Sequence, residues 1–273
     1  MFAKPTLLAA GLAVGLAAFM PHKAEAHRRW LLPSSTVLAG EGTTVTVDAA
    51  ASNGLFTFDH RPMGLDDLKV IGPDGQPVQH KVIGSGEFRS VFDVPLQQQG
   101  TYRIAIANEG MSGVYTLNGE RKRFRGVADQ VPAGATDVRV TQNASRVETF
   151  VTLGAPTETA LQPTGQGLEM IPITHPNDLV AGEEAQVRFL LDGQPAAGLE
   201  VEFVEGGTRY RDDAGIQTLT TDSDGVLTLT AARPGMYYVE ASQGGGQGGP
   251  GGGEGEAPAR VSSYTAVLEF LPL

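Results

Sequence analysis

Short runs of alternating apolar and polar residues, separated by turn residues, constrain the fold of this chain more than any other feature. The 36 glycines and 17 prolines interrupt runs such as Thr43–Asp48, Tyr102–Ile106 and Val226–Thr230. Alternation with a period of two places every second side chain on one face of a β-strand, whereas a helix needs a period of about 3.6. No segment sustains a helical period, so the sequence predicts an all-β protein.

Three landmarks recur in the same order in the two halves of the chain. Ala39-Gly40-Glu41, Asp74-Gly75-Gln76-Pro77 and Gly100-Thr101-Tyr102 are matched by Ala181-Gly182-Glu183, Asp192-Gly193-Gln194-Pro195 and Gly235-Met236-Tyr237. A repeat of this kind indicates two copies of one structural unit. We therefore predict two immunoglobulin-like β-sandwich domains in tandem, over residues 27–153 and 168–273; one larger, continuous sandwich is the alternative.

Two segments stand outside this repeat. The first half has a longer stretch between its first two landmarks, around residues 53–68, and it contains Asp59-His60-Arg61-Pro62. A loop added to a sandwich is not needed to close the core and more often carries function. The run 244–255 is rich in glycine and poor in charge. Its composition is typical of a mobile loop between two strands.

The N-terminus has the features of a secretory signal peptide over residues 1–26. Lys4 provides the positive start, Leu7–Phe19 a short apolar run, and Ala24-Glu25-Ala26 a small-residue cleavage site. The apolar run is too short to span a membrane. We therefore predict export to a bacterial periplasm and cleavage after Ala26. The processed chain would begin at His27 and would not insert into the membrane.

Charge and cysteine content limit the functions open to this chain. The formal net charge is −11, and there are no cysteines. An acidic surface repels nucleic acid and weakly attracts cations. Without thiolates, imidazoles and carboxylates are the remaining credible metal ligands. The sequence also lacks the common hydrolase, metalloprotease and nucleotide-binding motifs. We therefore expect a non-catalytic protein that binds no nucleic acid.

Four histidines, His27, His60, His80 and His175, follow the predicted cleavage site. His27 and His175 precede the first strand of each predicted sandwich and His60 lies in the inserted loop, so all three are expected at sandwich ends. The α-amine of an N-terminal His27 would complete a nitrogen-rich site for a divalent transition metal. The structural alternatives are a turn at His60, a hydrogen-bonded pre-proline residue at His175 and a polar hairpin position at His80.

Motifs along almost the whole processed chain resemble one known family. They are Ala26-His27-x-x-Trp30-Leu31, Asp59-His60-Arg61-Pro62, the Gly-Thr-Tyr-Arg strand at Gly100, the run Arg146–Leu153, Gly167-Leu-Glu-x-x-Pro172, Thr174-His-Pro-Asn-Asp178, Asp192-Gly-x-Pro195 and Gly207-Thr-Arg-Tyr-Arg211. Together they resemble the exported, NikM-like family of domains of unknown function. The resemblance implies a pair of immunoglobulin-like sandwiches and a part in periplasmic nickel or cobalt acquisition beside a membrane metal transporter. It also implies His27, His60 and His175 as metal ligands, with Glu169 and Tyr210 as neighbours, and it gives His80 no role.

Three functions follow from these expectations. The first is a periplasmic binding protein that assists uptake of a divalent transition metal or buffers it, with nickel or cobalt favoured and copper or zinc also compatible. An envelope-associated, immunoglobulin-like module that binds a glycan or a protein is the second. The third is a copper oxidase built on a histidine brace, in which the amine and imidazole of His27 chelate the metal together with a second imidazole.

Overall fold

The chain folds almost entirely into β-strands. The structure is a computed structural model, and it describes residues 27–126, 131–244 and 259–273. The predicted signal peptide and most of the glycine-rich run lie outside these ranges. Within them, no helix has the length and apolar character needed to cross a membrane. The helical segments described are two short 3₁₀ turns, Thr159–Leu161 and Thr208–Tyr210.

The strands are β1 (Arg28–Pro33), β2 (Val37–Leu38), β3 (Thr43–Ser52), β4 (Arg61–Pro62), β5 (Leu68–Ile71), β6 (Lys81–Ser85), β7 (Ser90–Leu96), β8 (Gly100–Leu117), β9 (Glu120–Gly126), β10 (Thr136–Leu153), β11 (Leu168–Pro172), β12 (Glu184–Leu191), β13 (Gln194–Pro195), β14 (Glu200–Glu205), β15 (Gln217–Thr220), β16 (Val226–Thr230), β17 (Gly235–Gly244) and β18 (Ala259–Phe270).

These strands form three sheets. The N-terminal sheet has the order β1-β3-β7-β6, with β4 also on β3. The largest, here called the shared sheet, has the order β15-β14-β17-β18-β10-β8-β5, with β2 on β10 and β9 on β8. The C-terminal sheet has the order β11-β12-β13, with β16 on β12. The predicted all-β class with immunoglobulin-like sandwiches is confirmed.

The two halves of the chain are joined by hydrogen bonds between β10 and β18. These strands pair in parallel, with Thr141 opposite Ala259 and Thr149 opposite Val267. The Thr149 hydroxyl also donates to the Val267 carbonyl oxygen at 3.0 Å. Each half nevertheless has its own hydrophobic core. The division at residues 153 and 168 stays a prediction about folding units, and these units share one sheet.

Strand β10 separates the two cores because its side chains alternate between them. Val147, Val151 and Leu153 pack into the core against the N-terminal sheet, whereas Phe150 packs into the core against the C-terminal sheet. Residues 146–153 are all buried, as expected for a strand covered on both faces. The N-terminal and C-terminal sheets therefore lie on opposite faces of the shared sheet.

Matching tyrosines support the internal repeat. Tyr102, near the start of β8, donates its hydroxyl to the Gln98 carbonyl oxygen at 2.8 Å and accepts from the Gln98 N–H at 2.9 Å. Tyr237, near the start of β17, makes the same two bonds to Arg233, at 2.8 and 3.3 Å. Such a tyrosine corner is typical of immunoglobulin-like sandwiches. The third landmark of the repeat therefore has the same structural role in both halves.

Candidate metal site

Trp30 anchors the start of β1 between the two halves of the chain. Its side chain is fully buried, and its indole Nε1 donates to the Ser52 Oγ at 2.8 Å. The rings of Phe56 and Phe58 pack on it, with centroids 5.7 and 5.4 Å away. Because Trp30 also packs into one cluster with Tyr238 of β17, the backbone just before it is held in place. His27 lies three residues upstream of this anchor.

Asp59 shapes the inserted loop that carries His60. Its Oδ1 accepts from the Asn53 N–H at 2.8 Å, and its Oδ2 accepts from the Gly54 N–H at 3.2 Å. The loop returns as β4, which pairs with β3 from the side opposite β1. The two strands that follow His27 and His60 therefore flank the same end of β3. Since both oxygens of Asp59 bond to the loop backbone, this carboxylate is occupied in holding the loop.

His27 and His60 meet at this end of β3. Their ring centroids are 3.6 Å apart, and the ring planes differ by 7°. Partial burial lowers the pKa of His60, and electrostatic repulsion from the neighbouring His27 and Arg61 lowers it further, against an opposing effect of Asp59. The neutral form of His60, which carries a free nitrogen lone pair, is therefore favoured at neutral pH.

His175 does not join this pair, which corrects the expected convergence of three imidazoles. Its Nε2 lies 2.9 Å from the Thr101 Oγ1, and Thr101 in turn bonds Thr152 of β10. Arg29, two residues after His27, instead reaches Ser145 of β10. Ser145 and Thr152 are about 23 Å apart along the strand at about 3.3 Å per residue. Burial lowers the pKa of His175, which fits a neutral, hydrogen-bonded structural residue.

Glu169 and His80 also lie away from the pair. Glu169 is buried, its two oxygens accept from the backbone N–H groups of Thr164 and Gly165, and it lies 3.7 Å from the Arg146 guanidinium. This buried carboxylate is therefore held by its own loop backbone and by Arg146 rather than by the histidine pair. His80 precedes β6 at the far edge of the N-terminal sheet, where its ring packs at 6.0 Å from that of Phe92.

Tyr210 lies on a segment that approaches the inserted loop from the C-terminal half. The Phe56 ring packs directly over Gly206, where an added Cβ would lie 3.0 Å from a ring carbon. Tyr210 itself is 82% exposed, and the Arg209 guanidinium lies 5.6 Å from its ring centroid. The segment is therefore near the inserted loop, while the Tyr210 side chain is exposed to solvent.

The side chains thus supply two candidate ligands in one place. Across residues 27–126, 131–244 and 259–273, no group of three or more His, Asp or Glu side chains is close enough to hold a metal ion. A site at His27 and His60 therefore needs a donor that is not a side chain.

Sequence reasoning missed the arginines around the histidine pair. Arg28 donates to Glu202 at 3.1 Å and lies 3.9 Å from Glu240, which ties the start of β1 to the C-terminal half. Arg29 and Arg61 line a cleft of about 640 Å³ beside the pair. The sequence does contain a signal for these arginines, because arginines directly follow both histidines, in His27-Arg28-Arg29 and His60-Arg61.

Comparison with known proteins gives one family match. A profile described as a domain of unknown function (DUF4198) matches residues 24–245. No curated protein matches the sequence significantly.

Several solved structures resemble the fold. The D0-D1 domain of Intimin is 14% identical over 88% of this chain and 97% of its own, with a TM-score of 0.21. The human OSCAR ligand-binding domain is 15% identical over 89% of this chain and 99% of its own, with a TM-score of 0.21. The ectodomain of mouse nectin-like molecule 4 is 8% identical over 90% of this chain and 64% of its own, with a TM-score of 0.20. Identities and TM-scores this low carry no argument about function.

Proposed function

The chain belongs to the DUF4198 family, and from that premise we propose that its processed form binds one divalent transition-metal ion at His27 and His60. The family is defined as a domain of unknown function, so the proposal rests on the geometry of the site. The observation that carries it is the direct contact of two imidazole rings, 3.6 Å between centroids, at the predicted new N-terminus.

The α-amine of His27 is the third donor in this proposal. Cleavage after Ala26 would turn the His27 backbone nitrogen into a primary amine on the same residue as an imidazole, and the two can chelate one ion. The stacked rings hold their lone pairs in parallel planes, so one ring must turn before both can reach the metal. The exposed His27 ring can do so because it makes no hydrogen bond to any described residue.

A donor set of two imidazoles and an amine selects the class of metal. Nitrogen ligands suit nickel, cobalt, copper and zinc and are poor for magnesium and calcium, which prefer oxygen. We propose nickel or cobalt as the cargo because the sequence motifs resemble the NikM-like family. In that role the protein would be exported to the periplasm, where it would buffer the metal or pass it to a membrane transporter.

Calorimetric titration of Ni²⁺ into a chain that begins at His27 tests the site. We expect one ion per chain. His60→Ala should weaken the affinity at least about tenfold, because it removes one of three donors. His80→Ala is the matched control, since that imidazole packs on Phe92 away from the pair. Equal binding by the His60→Ala variant and the unmodified chain would refute the proposal.

A chain with one extra glycine before His27 tests the amine separately. The extra residue moves the amine off His27 and leaves both imidazoles unchanged, so we expect weaker binding. Affinity should also fall as the pH drops, because protons compete with the metal for the amine and imidazole lone pairs. Binding that is unaffected by the extension would remove the amine from the site.

A further inference from the structure

The cleft beside the histidine pair has one wall built from a row of residues in the N-terminal sheet. Ala51 of β3 lies opposite Arg29 of β1 on one side and Arg61 of β4 on the other, and all three line the cleft. Residues opposite one another in neighbouring strands present their side chains on the same face. At about 4.8 Å per strand, the two arginine backbones are about 10 Å apart. The small Ala51 side chain leaves space between the two guanidinium groups.

The facing wall is a polar row of the shared sheet. Asn108, Ser145 and Ser263 lie opposite one another in β8, β10 and β18. Ser145 donates to the Asn108 Oδ1 at 2.8 Å, and Arg29 donates to the hydroxyls of Ser145 and Ser263 at 3.2 and 3.3 Å. A guanidinium has five N–H donors, so Arg29 keeps donors for a ligand. This wall therefore offers hydroxyl and amide groups close to a positive charge.

The arginines that line the cleft form no ion pairs within the described part of the chain. Arg29, Arg61 and Arg125 line the cleft, and none lies within ion-pair distance of a carboxylate in the part of the chain that the structure describes. Three carboxylates also line it: Asp66, Asp67 and Glu109. They would repel a compact, highly charged anion, so they favour a ligand whose negative charge is spread out and accompanied by uncharged polar groups.

We propose that this cleft binds a small hydroxylated carboxylic acid. Guanidinium groups match carboxylates in a bidentate geometry, so the acid group is placed at Arg29 and Arg61. The ligand hydroxyls then face Asn108, Ser145 and Ser263. A volume of about 640 Å³ is ordinary for a small-molecule site. Neither the histidines nor a bound metal is needed for this binding, so the inference stands apart from the metal site.

Calorimetry on metal-free processed protein tests the inference. Metal is removed on a chelating resin, because soluble chelators are themselves polycarboxylates and would compete for the cleft. D-gluconate and D-glucuronate, each with one carboxylate and several hydroxyl groups, are the two probes, and they distinguish a free hydroxy acid from a sugar acid of a glycan. Inorganic phosphate, succinate and glucose are the comparison ligands, since each lacks either the carboxylate or the hydroxyl groups.

The expected result is saturable binding of D-gluconate or D-glucuronate, tighter than that of all three comparison ligands. Arg61→Gln should weaken it about tenfold, because a charge-assisted bond is lost. Arg29→Gln should weaken binding further, but Arg29 also bonds to the facing wall, so this variant can be unstable. Arg61 is exposed, so Arg61→Gln tests the cleft without that risk. Arg188→Gln, on the exposed face of β12, is the control and should bind as the unmodified chain does.

Any of three results would overturn the inference. The first is the absence of saturable binding by both hydroxy acids, and the second is binding that Arg61→Gln leaves unchanged. The third is phosphate binding as tight as that of the hydroxy acids, which would make the cleft a general anion site.

Discussion

The contribution of the buried hydrogen bond between Trp30 and Ser52 to the free energy of unfolding can be measured with a double-mutant cycle. The indole Nε1 donates to the serine Oγ at 2.8 Å, and both side chains have no exposed surface. Trp30→Phe removes the donor and leaves a buried hydroxyl without it. Ser52→Ala removes the acceptor and leaves a buried indole N–H. The double variant removes both partners and leaves neither polar group unpaired.

The magnitudes follow from this geometry. Ser52→Ala should lower the free energy of unfolding by about 1–2 kcal/mol, in the range for an unpaired buried donor. Trp30→Phe should cost about 2–4 kcal/mol, because a cavity beside Phe56 and Phe58 adds to the unpaired hydroxyl. The double variant should be less destabilised than the sum of the two by about 2–4 kcal/mol, since each single variant carries the penalty of one unpaired buried group and the double variant carries neither.

Urea unfolding at constant pH gives the four free energies needed for this cycle. Circular dichroism is the appropriate signal, because Trp30 is the only tryptophan and its fluorescence is lost in two of the four proteins. If the two single losses simply add up in the double variant, the Trp30–Ser52 bond does not stabilise the anchor and the reasoning is refuted.

Further expectations concern the buried polar groups. Burial raises the pKa of Glu148 despite the opposing charge of Arg146, so stability is full at low pH and declines as the pH rises past 4.5 through the folded-state pKa. Glu148→Gln should remove that decline in urea unfolding measured across this range; an unchanged slope would contradict the assignment. His175→Ala should cost about 1 kcal/mol through its lost bond to Thr101 and leave the Ni²⁺ affinity unchanged, and a weaker affinity would return His175 to the metal site. Tyr102→Phe and Tyr237→Phe should each cost about 1 kcal/mol, with similar losses if the two corners are equivalent.

The strand content of the fold could be predicted because it is a local property. Alternation and turn residues identified strands such as β3, β8 and β16, and the Gly-x-Tyr landmark located the start of both β8 and β17. The pairing of β10 with β18 could not be predicted in this way. Because β10 is buried on both faces over residues 146–153, its pattern of residues does not show which strand it pairs with.

The part of the candidate site that could be predicted is the part held by residues nearby in the sequence. Trp30 and the inserted loop bring His27 and His60 to one end of β3, and both features are visible in the sequence. The expected place of His175 assumed that equivalent ends of the two repeats face each other. The halves instead join side by side through β10 and β18, so His175 reaches Thr101. The cleft arginines come together only through cross-strand pairing, which spacing along the chain does not reveal.

The parallel junction in the middle of the shared sheet also limits the order in which the polypeptide can mature. Thr149 can bond to Val267 only after the ribosome has added a further 118 residues. Until then, this 18-residue interior strand presents an open row of amide and carbonyl groups that could pair with the wrong strand. Cutting the gene between the two repeats should therefore yield an aggregation-prone fragment rather than a stable half, and co-expression of both fragments should restore solubility only when the final strand is supplied.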